Sequence, residues 1–185
     1  MKKKKIYLIC VMAIMIALCF ALDRVATFEI ANSLKITFYA LPLLVTGIIH
    51  GPIVGLITGA ISGLFIQLFK WGPSVTTVFY MIAPAMWGLI SGLVYKGFKN
   101  KSLKLRILGY ILAVVSASIM ATISNTFAFF MDFLLIENSY YTPALIIGSL
   151  LGRIITMLIM IVIYSILVIP ICTSVNQFVR KDEVE

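Results

Sequence analysis

The chain has 185 residues, of which 62% are hydrophobic and 12% charged, and its mean hydropathy is +1.10. Soluble domains carry about 45–50% apolar and about 25% charged residues, so this chain has too little polar material to cover an aqueous surface. The composition excludes a small soluble enzyme and predicts an integral membrane protein. The net charge of +8 comes from short basic runs between apolar segments, which is typical of membrane orientation and not of nucleic-acid binding.

Apolar runs between charges and Gly/Pro breaks predict six transmembrane helices in one all-α domain, residues 1–185. In chain order we expect them at 6–22, 36–49, 53–69, 75–95, 107–131 and 144–172. The second and third are short for full spans, and Gly51-Pro52 between them predicts a helical hairpin. The first helix follows the basic run Lys2–Lys5, and the alternative interpretation of this segment is a signal peptide. Its apolar run is longer than the about 7–15 residues of a signal sequence, which favours a retained helix.

Basic residues are distributed unevenly over the loops between these helices. Loops on one side hold eleven of the fifteen lysines and arginines, in the runs 2–5, 96–106 and 180–181. The loops on the other side hold three, Arg24, Lys35 and Lys70. Because Lys and Arg accumulate in cytoplasmic loops, this asymmetry predicts that both termini are cytoplasmic.

Small residues recur every four positions on three of the predicted helices. Because membrane helices associate through close backbone approach, such stripes predict contact faces within the bundle. The stripes on helices 1, 3 and 5 are Ala13, Ala17 and Ala21; Gly51, Gly55, Gly59 and Gly63; and Ala113, Ala117 and Ala121. Glycine is costly inside a helix, so the four glycines predict a neighbour pressed against their face. Asn125 continues the third stripe at the same spacing.

Polar residues in and beside the spans collect at the predicted outer side. An ionisable side chain inside a span costs about 2.5–3.5 kcal/mol on insertion scales, so Arg153 requires a partner or a function. We expect Arg153 and Asn125 at the floor of a cavity for a small polar or anionic ligand, with aromatic walls. Further candidates for contact with this ligand are Gln67, Lys70, Trp71, Tyr80, Arg24 and Lys35. The alternative is that Arg153 pairs with Asp132 or Glu137 and only holds helices 5 and 6 together.

Patterns typical of catalysis and metal binding are missing from the sequence. It contains no GxxxxGK[ST], GxSxG or HExxH motif, and it has one histidine, His50. The three cysteines, Cys10, Cys19 and Cys172, have no metal-ligand spacing. We therefore predict a protein that is not an enzyme, has no metal or cofactor, and cannot drive transport by ATP hydrolysis on its own.

Several of these features together resemble the S components of energy-coupling factor (ECF) vitamin transporters. The alanine stripe of helix 1 is typical of that family, as are six short helices and a mass of 20.5 kDa. The runs KITFYALPLL from Lys35 and HGPIVGLITGA from His50 are similar to helices 2 and 3 of the folate and pantothenate branch. Asn125-Thr126 and Arg153 lie where that branch has an Asn-Thr pair and an Arg.

The resemblance implies a high-affinity substrate-binding subunit of an ECF-type importer in a bacterial plasma membrane. Its ligand would be a water-soluble vitamin: folate is favoured, then pantothenate, hydroxymethylpyrimidine, pyridoxine or riboflavin. The ligand would lie between the outer ends of helices 4 to 6 and the loop after helix 1. The resemblance further implies that Ala13, Ala17 and Ala21 dock on a membrane coupling subunit (EcfT-like), which two ATPase subunits drive.

Two other classes of membrane protein share parts of this pattern. A structural protein of the cell-shape type, with no small-molecule ligand, would use the polar groups as helix locks and the alanine face for partner helices. An autonomous channel or small exporter is the third class. The sequence has no carboxylate in the middle of a span, which argues against the usual proton relay of such an exporter.

Overall fold

The computed structural model of the protein describes residues 2–31, 34–136 and 141–182. These residues form helices joined by short turns and one two-stranded antiparallel hairpin. The elements in chain order are α1 (Lys2–Val25), β1 (Thr27–Ala31), β2 (Leu34–Thr37), α2 (Ala40–His50), α3 (Pro52–Trp71), α4 (Thr77–Lys96), α5 (Leu103–Leu135), α6 (Pro143–Gly148) and α7 (Leu150–Asp182).

Within the part of the chain that the structure describes, five stretches are long and apolar enough to cross a membrane. Four of them lie in α1, α3, α4 and α5, and the fifth is Pro143–Val175, which includes α6 and most of α7. α2 is also apolar but shorter, and eight of its residues are buried, so it lies at the centre of the bundle. Helix is thus present in all six predicted segments.

The predicted start of the second helix, at residue 36, is wrong. Ile36 and Thr37 belong to β2, where they pair with Phe28 and Thr27 of β1. Their backbone N–H and C=O groups form hydrogen bonds with β1 and not within a helix, and the helix begins only at Ala40. At 1.5 Å per residue the 11 residues of α2 extend about 16 Å, which is about half the hydrocarbon thickness of a bilayer.

The predicted sixth helix is interrupted near its start. Thr142 caps α6 by accepting a hydrogen bond from the Leu145 amide, and Pro143 occupies the first turn. The Ser149 hydroxyl then donates to the Ile146 carbonyl at 3.0 Å, which competes with the helical ladder. One residue, Ser149, therefore separates α6 from α7.

The glycine stripe was predicted to have a close neighbour. For three of its four members this prediction is confirmed, and the neighbour is α4. A Cβ atom on Gly55 would lie 2.5 Å from the Gly88 carbonyl oxygen, and one on Gly59 would lie 2.2 Å from that of Pro84. A Cβ atom on Gly63 would lie 3.0 Å from Cγ of the Pro84 ring. The prediction is wrong for Gly51, which has no such neighbour and instead forms the α2–α3 turn with φ of +98°. As predicted, α2 and α3 therefore form a hairpin, and α3 and α4 approach backbone to backbone.

The two alanine stripes have opposite environments. Ala113, Ala117 and Ala121 of α5 are buried in the core, so their predicted packing role is confirmed. Ala13, Ala17 and Ala21 are exposed on α1, so the residues that the structure describes do not bury this stripe. The prediction of packing within the bundle is therefore wrong for α1. Cys19, on the opposite face of α1, is buried, and the Phe20 ring meets the Phe69 ring of α3 at 5.4 Å.

The two ends of the bundle differ in chemistry. The hairpin end holds β1 and β2, the α3–α4 turn and the last turn of α5. The basic end holds the α4–α5 connection, where Tyr95 and Tyr110 stack at 4.7 Å and Arg106 donates hydrogen bonds to both hydroxyls. This cluster ties α4 to α5 at the basic end.

Candidate functional site

A cavity of about 1400 Å³ opens at the hairpin end. All helices contribute to its lining, together with β2 and the α3–α4 turn. Ligand pockets in proteins have volumes of about 300–1,000 Å³, so this cavity has room for a vitamin-sized molecule and water. Its wall combines aromatic rings with a small number of charged and amide side chains, which is typical of sites that recognise polar organic ligands.

One side of the cavity mouth is formed by the last turn of α3. Gln67, Lys70 and Trp71 all line the cavity there, and the Trp71 ring is 73% exposed. The Lys70 ammonium nitrogen lies 3.6 Å from Oδ2 of Asp23, at the end of α1. This ion pair connects α1 to α3 beside the mouth.

The opposite side of the mouth is joined by a hydrogen bond between the α3–α4 turn and the last turn of α5. The Thr76 hydroxyl, in the α3–α4 turn, donates to Oδ1 of Asp132 at 2.8 Å. Ser74 supports Thr76, because their hydroxyl oxygens lie 3.1 Å apart. Asp132 is thus used to fix the end of α5 against the start of α4.

Arg153 lies in the cavity wall on the first turn of α7. One of its terminal guanidinium nitrogens donates to the Thr126 hydroxyl of α5 at 3.3 Å. The guanidinium carbon lies 4.2 Å from the centroid of the Phe129 ring, which is cation–π geometry. Thr126 and Phe129 are both uncharged, so neither of these contacts, within residues 2–31, 34–136 and 141–182, supplies a negative charge to Arg153.

Phe129 is the centre of an aromatic cluster around Arg153. Tyr80 of α4 meets the Phe129 ring edge-on at 5.7 Å, and Tyr141 lies against it at 4.3 Å. Asn125 lines the cavity one turn before Phe129 on the same face of α5. A cation, an amide and several rings therefore share one wall.

The deeper part of the cavity is lined by Trp87 and Tyr164, whose rings meet edge-on at 5.4 Å. Both side chains are buried, and the Tyr164 hydroxyl donates to the Thr37 carbonyl of β2. Tyr39 also lines the cavity here. Burial and the nearby Asp23 charge raise the pKa of the Tyr39 phenol, so its hydroxyl stays protonated and available as a donor.

Six of the eight residues predicted to contact a ligand line this one cavity: Arg153, Asn125, Lys70, Trp71, Tyr80 and Gln67. The structure does not place Arg24 in the lining. The Arg24 guanidinium points along α1 instead and lies 5.4 Å from the centroid of the Phe20 ring. Lys35 pairs with Glu29 in the hairpin ladder, and its side chain lies outside what the structure describes, as does Glu137.

Several lining residues were not predicted, although helical spacing could have identified them. Met157, Met160 and Tyr164 follow Arg153 at intervals of four, seven and eleven residues, which is one face of α7. Trp87 follows Tyr80 by seven residues on α4. Asp23 was missed for a different reason: the sequence placed it in the loop after the first predicted helix, where no periodic signal applies, whereas it lies in the last turn of α1.

Metal binding finds no support among residues 2–31, 34–136 and 141–182. No group of three or more His, Cys, Asp or Glu side chains lies close enough to hold an ion there. All three cysteines are free thiols, and none of them lines the cavity. The chemistry that this part of the chain offers is hydrogen bonding, stacking and charge recognition.

Comparison with known proteins agrees with this architecture. A sequence model of the family "ECF transporter, substrate-specific component" matches residues 8–172. The chain is also similar to a solved structure of the S component of a bacterial ECF transporter, with a TM-score of 0.63 and 19% identity over 95% of this chain and 98% of that one. At that identity the likeness shows the fold alone. A search of curated protein sequences gives no match. Because the family model spans most of the sequence, the chain belongs to the substrate-specific S components of ECF transporters.

Proposed function

We propose that the cavity captures a water-soluble vitamin from the outside of the cell and that the protein presents it for import. Family membership supports the role of substrate-specific transport subunit over the structural and exporter alternatives. The observation that carries the ligand proposal is Arg153, a cation in the cavity wall whose contacts there, Thr126 and Phe129, are both uncharged. An anionic or carbonyl group on the ligand would compensate that charge.

The side chains around Arg153 favour a ligand that is flat and carries an acceptor. Tyr80, Phe129 and Tyr141 offer ring faces and edges, and Asn125 offers both a donor and an acceptor. Folate combines fused rings with carboxylates, so it remains the favoured ligand. Pantothenate, hydroxymethylpyrimidine, pyridoxine and riboflavin are the other candidates.

The basic residues support an orientation in which the hairpin end faces outward. The basic end carries the run 96–106, and it would face the cytoplasm together with both termini. In this orientation the cavity opens toward dissolved vitamin, and the stacked rings of Tyr95 and Tyr110 lie at the cytoplasmic end of the bundle.

The exposed alanine face of α1 supports the docking part of the proposal. ECF S components associate with a separate membrane subunit, EcfT, and with ATPase subunits. Ala13, Ala17 and Ala21 present a smooth surface on which a partner helix can approach closely. The equivalent stripe on α5 is occupied within the chain, so α1 is the better candidate for contact with the coupling subunit.

Intrinsic fluorescence tests the ligand proposal directly, since both tryptophans of the sequence, Trp71 and Trp87, line the cavity. The purified protein is titrated with each of the five vitamins. We expect at least one vitamin to change the tryptophan emission in a saturable way. Most of that change should be lost in one of the two variants Trp87→Phe and Trp71→Phe. Arg153→Met should weaken that binding at least tenfold, because it removes a charge-assisted hydrogen bond. Absence of saturable binding for all five would refute the proposal.

The docking proposal has its own test. Ala17→Trp should leave the fluorescence titration unchanged but prevent co-purification with the coupling subunit and abolish vitamin uptake in cells. The matched control is Val162→Trp on α7. Position 162 is also exposed, and the variant introduces the same side chain. Uptake that survives Ala17→Trp would remove the alanine face from the interface.

A further inference from the structure

Asp23 is a buried carboxylate in the cavity lining with incomplete hydrogen bonding. It lies in the last turn of α1, is 6% exposed, and lines the same cavity as Gln67 and Tyr39. Among the residues that the structure describes, none donates a hydrogen bond to its Oδ2 atom. Lys70 lies 3.6 Å from this oxygen, which is an ion pair but too long for a hydrogen bond.

A buried carboxylate oxygen without a hydrogen-bond donor raises the free energy of the folded protein. Charged groups removed from water are normally both paired and hydrogen-bonded, and an ionised carboxylate has about four acceptor sites. The positive charge of Lys70 supplies the pairing of Asp23 but does not complete its hydrogen bonding. Since the Asp23 side chain belongs to the cavity lining, a molecule bound there can supply a donor to the carboxylate.

We propose that Asp23 is a specificity-determining residue that accepts hydrogen bonds from the N–H edge of a nitrogen heterocycle. The same ligand would place its anionic or carbonyl group against Arg153. This inference rests on the proposed function and narrows it: the substrate carries a ring with N–H donors and a separate acceptor group, so that it is recognised at both ends.

The cavity between these two groups fits a flat ring system. Trp87 and Tyr164 line the deeper part, and Tyr80 and Phe129 line the wall near Arg153. Aromatic walls stabilise planar ligands by stacking and edge contacts. Among the five candidate vitamins, pantothenate has no ring, so the proposal excludes it and retains the four heterocycles.

A purely structural role for Asp23 makes a different prediction. If Asp23 only held Lys70, its loss would lower the thermal stability of the ligand-free protein and affect every ligand alike. If Asp23 binds a ring N–H edge, its loss would reduce the affinity for the ligand and the stabilisation that the ligand confers. The ligand-induced rise in the unfolding midpoint separates the two roles.

The test compares wild type with Asp23→Asn, which keeps the shape of the side chain but replaces an acceptor oxygen by a donor. Folic acid, hydroxymethylpyrimidine, pyridoxine, riboflavin and pantothenate are each titrated by fluorescence and by thermal unfolding. Thr173→Val is the matched control, because its hydroxyl oxygen is also buried without a described hydrogen-bond partner but lies outside the cavity lining. Asp23→Glu is the second variant in case Asp23→Asn does not fold.

We expect one of the four heterocycles to bind wild type and Thr173→Val with the same affinity. Asp23→Asn should weaken that binding at least about tenfold, and Asp23→Glu should weaken it less, as expected for a hydrogen bond to a charged group. Unchanged affinity in the folded Asp23 variants, or binding of pantothenate alone, would overturn the inference and leave the proposed function standing. Binding of none of the five would refute the proposed function, and the inference with it.

Discussion

Gly59→Ala is a direct test of the close contact between α3 and α4. The added Cβ would lie 2.2 Å from the Pro84 carbonyl oxygen and 2.8 Å from the Ala85 Cα atom. Ordinary contact requires at least 3.4 Å, so the helices would have to separate by about 1.2 Å at this point. Because the clashing atoms belong to the backbone, no side-chain rotation can relieve the contact.

The expected cost follows from two opposing effects. Overpacking a well-packed interface costs about 1–3 kcal/mol, and backbone contacts favour the upper end of that range. Replacing glycine by alanine within a helix stabilises the helix by about 1 kcal/mol. We therefore expect a net loss of about 2 kcal/mol, which lowers the midpoint of thermal unfolding by about 4–8 °C for a chain of this size.

The assay is thermal unfolding of the purified protein in detergent, with Gly97→Ala as the matched control. Gly97 has helical backbone angles, and its Cβ would meet only the Val94 carbonyl oxygen at an ordinary 3.6 Å. The control should be as stable as wild type or slightly more stable. If Gly59→Ala unfolded at the same temperature as the control, the reasoning about the α3–α4 contact would be refuted.

Three further changes test contacts around the cavity. Arg153→Lys keeps the charge but loses the planar group over Phe129, so vitamin affinity in the fluorescence titration should fall about tenfold; equal affinity would contradict a stacked guanidinium. Thr76→Val removes the donor to Asp132 and should lower the free energy of unfolding by about 1.5–3 kcal/mol, measured by thermal unfolding; unchanged stability would contradict this hydrogen bond. Tyr164→Phe removes the hydrogen bond to the β2 backbone and should speed amide exchange in β1 and β2; unchanged exchange would show that the hairpin does not depend on α7.

The helical part of the fold could be predicted because it depends on local hydrophobic runs. The glycine stripe of α3 also predicted a close neighbour, since glycine is costly inside a helix and a close backbone contact compensates that cost. The hairpin could not be predicted in the same way. Ile36 and Thr37 extend an apolar run, and their pairing with Phe28 and Thr27 depends on residues that lie eight and ten positions earlier in the chain.

The candidate site was predictable where polar residues interrupt apolar helices. Arg153 and Asn125 differ from their neighbours, so the sequence singles them out, and the structure places both in one cavity wall. Trp87 and Phe129 resemble ordinary core or lipid-facing rings, and only their contacts reveal their place in the lining. Asp23 appears in the sequence as one charge among several in a loop; its burial depends on how α1 packs against α3.

The central claim is that the cavity holds one small molecule taken from the surroundings, bound through Arg153. Native mass spectrometry of protein expressed in rich medium and released gently from detergent tests it most directly. The account predicts that wild type carries an additional mass equal to one vitamin-sized compound, and that Arg153→Ala and Asn125→Ala lose it. A bare chain in every wild-type preparation, or the same bound mass in both variants, would contradict the claim.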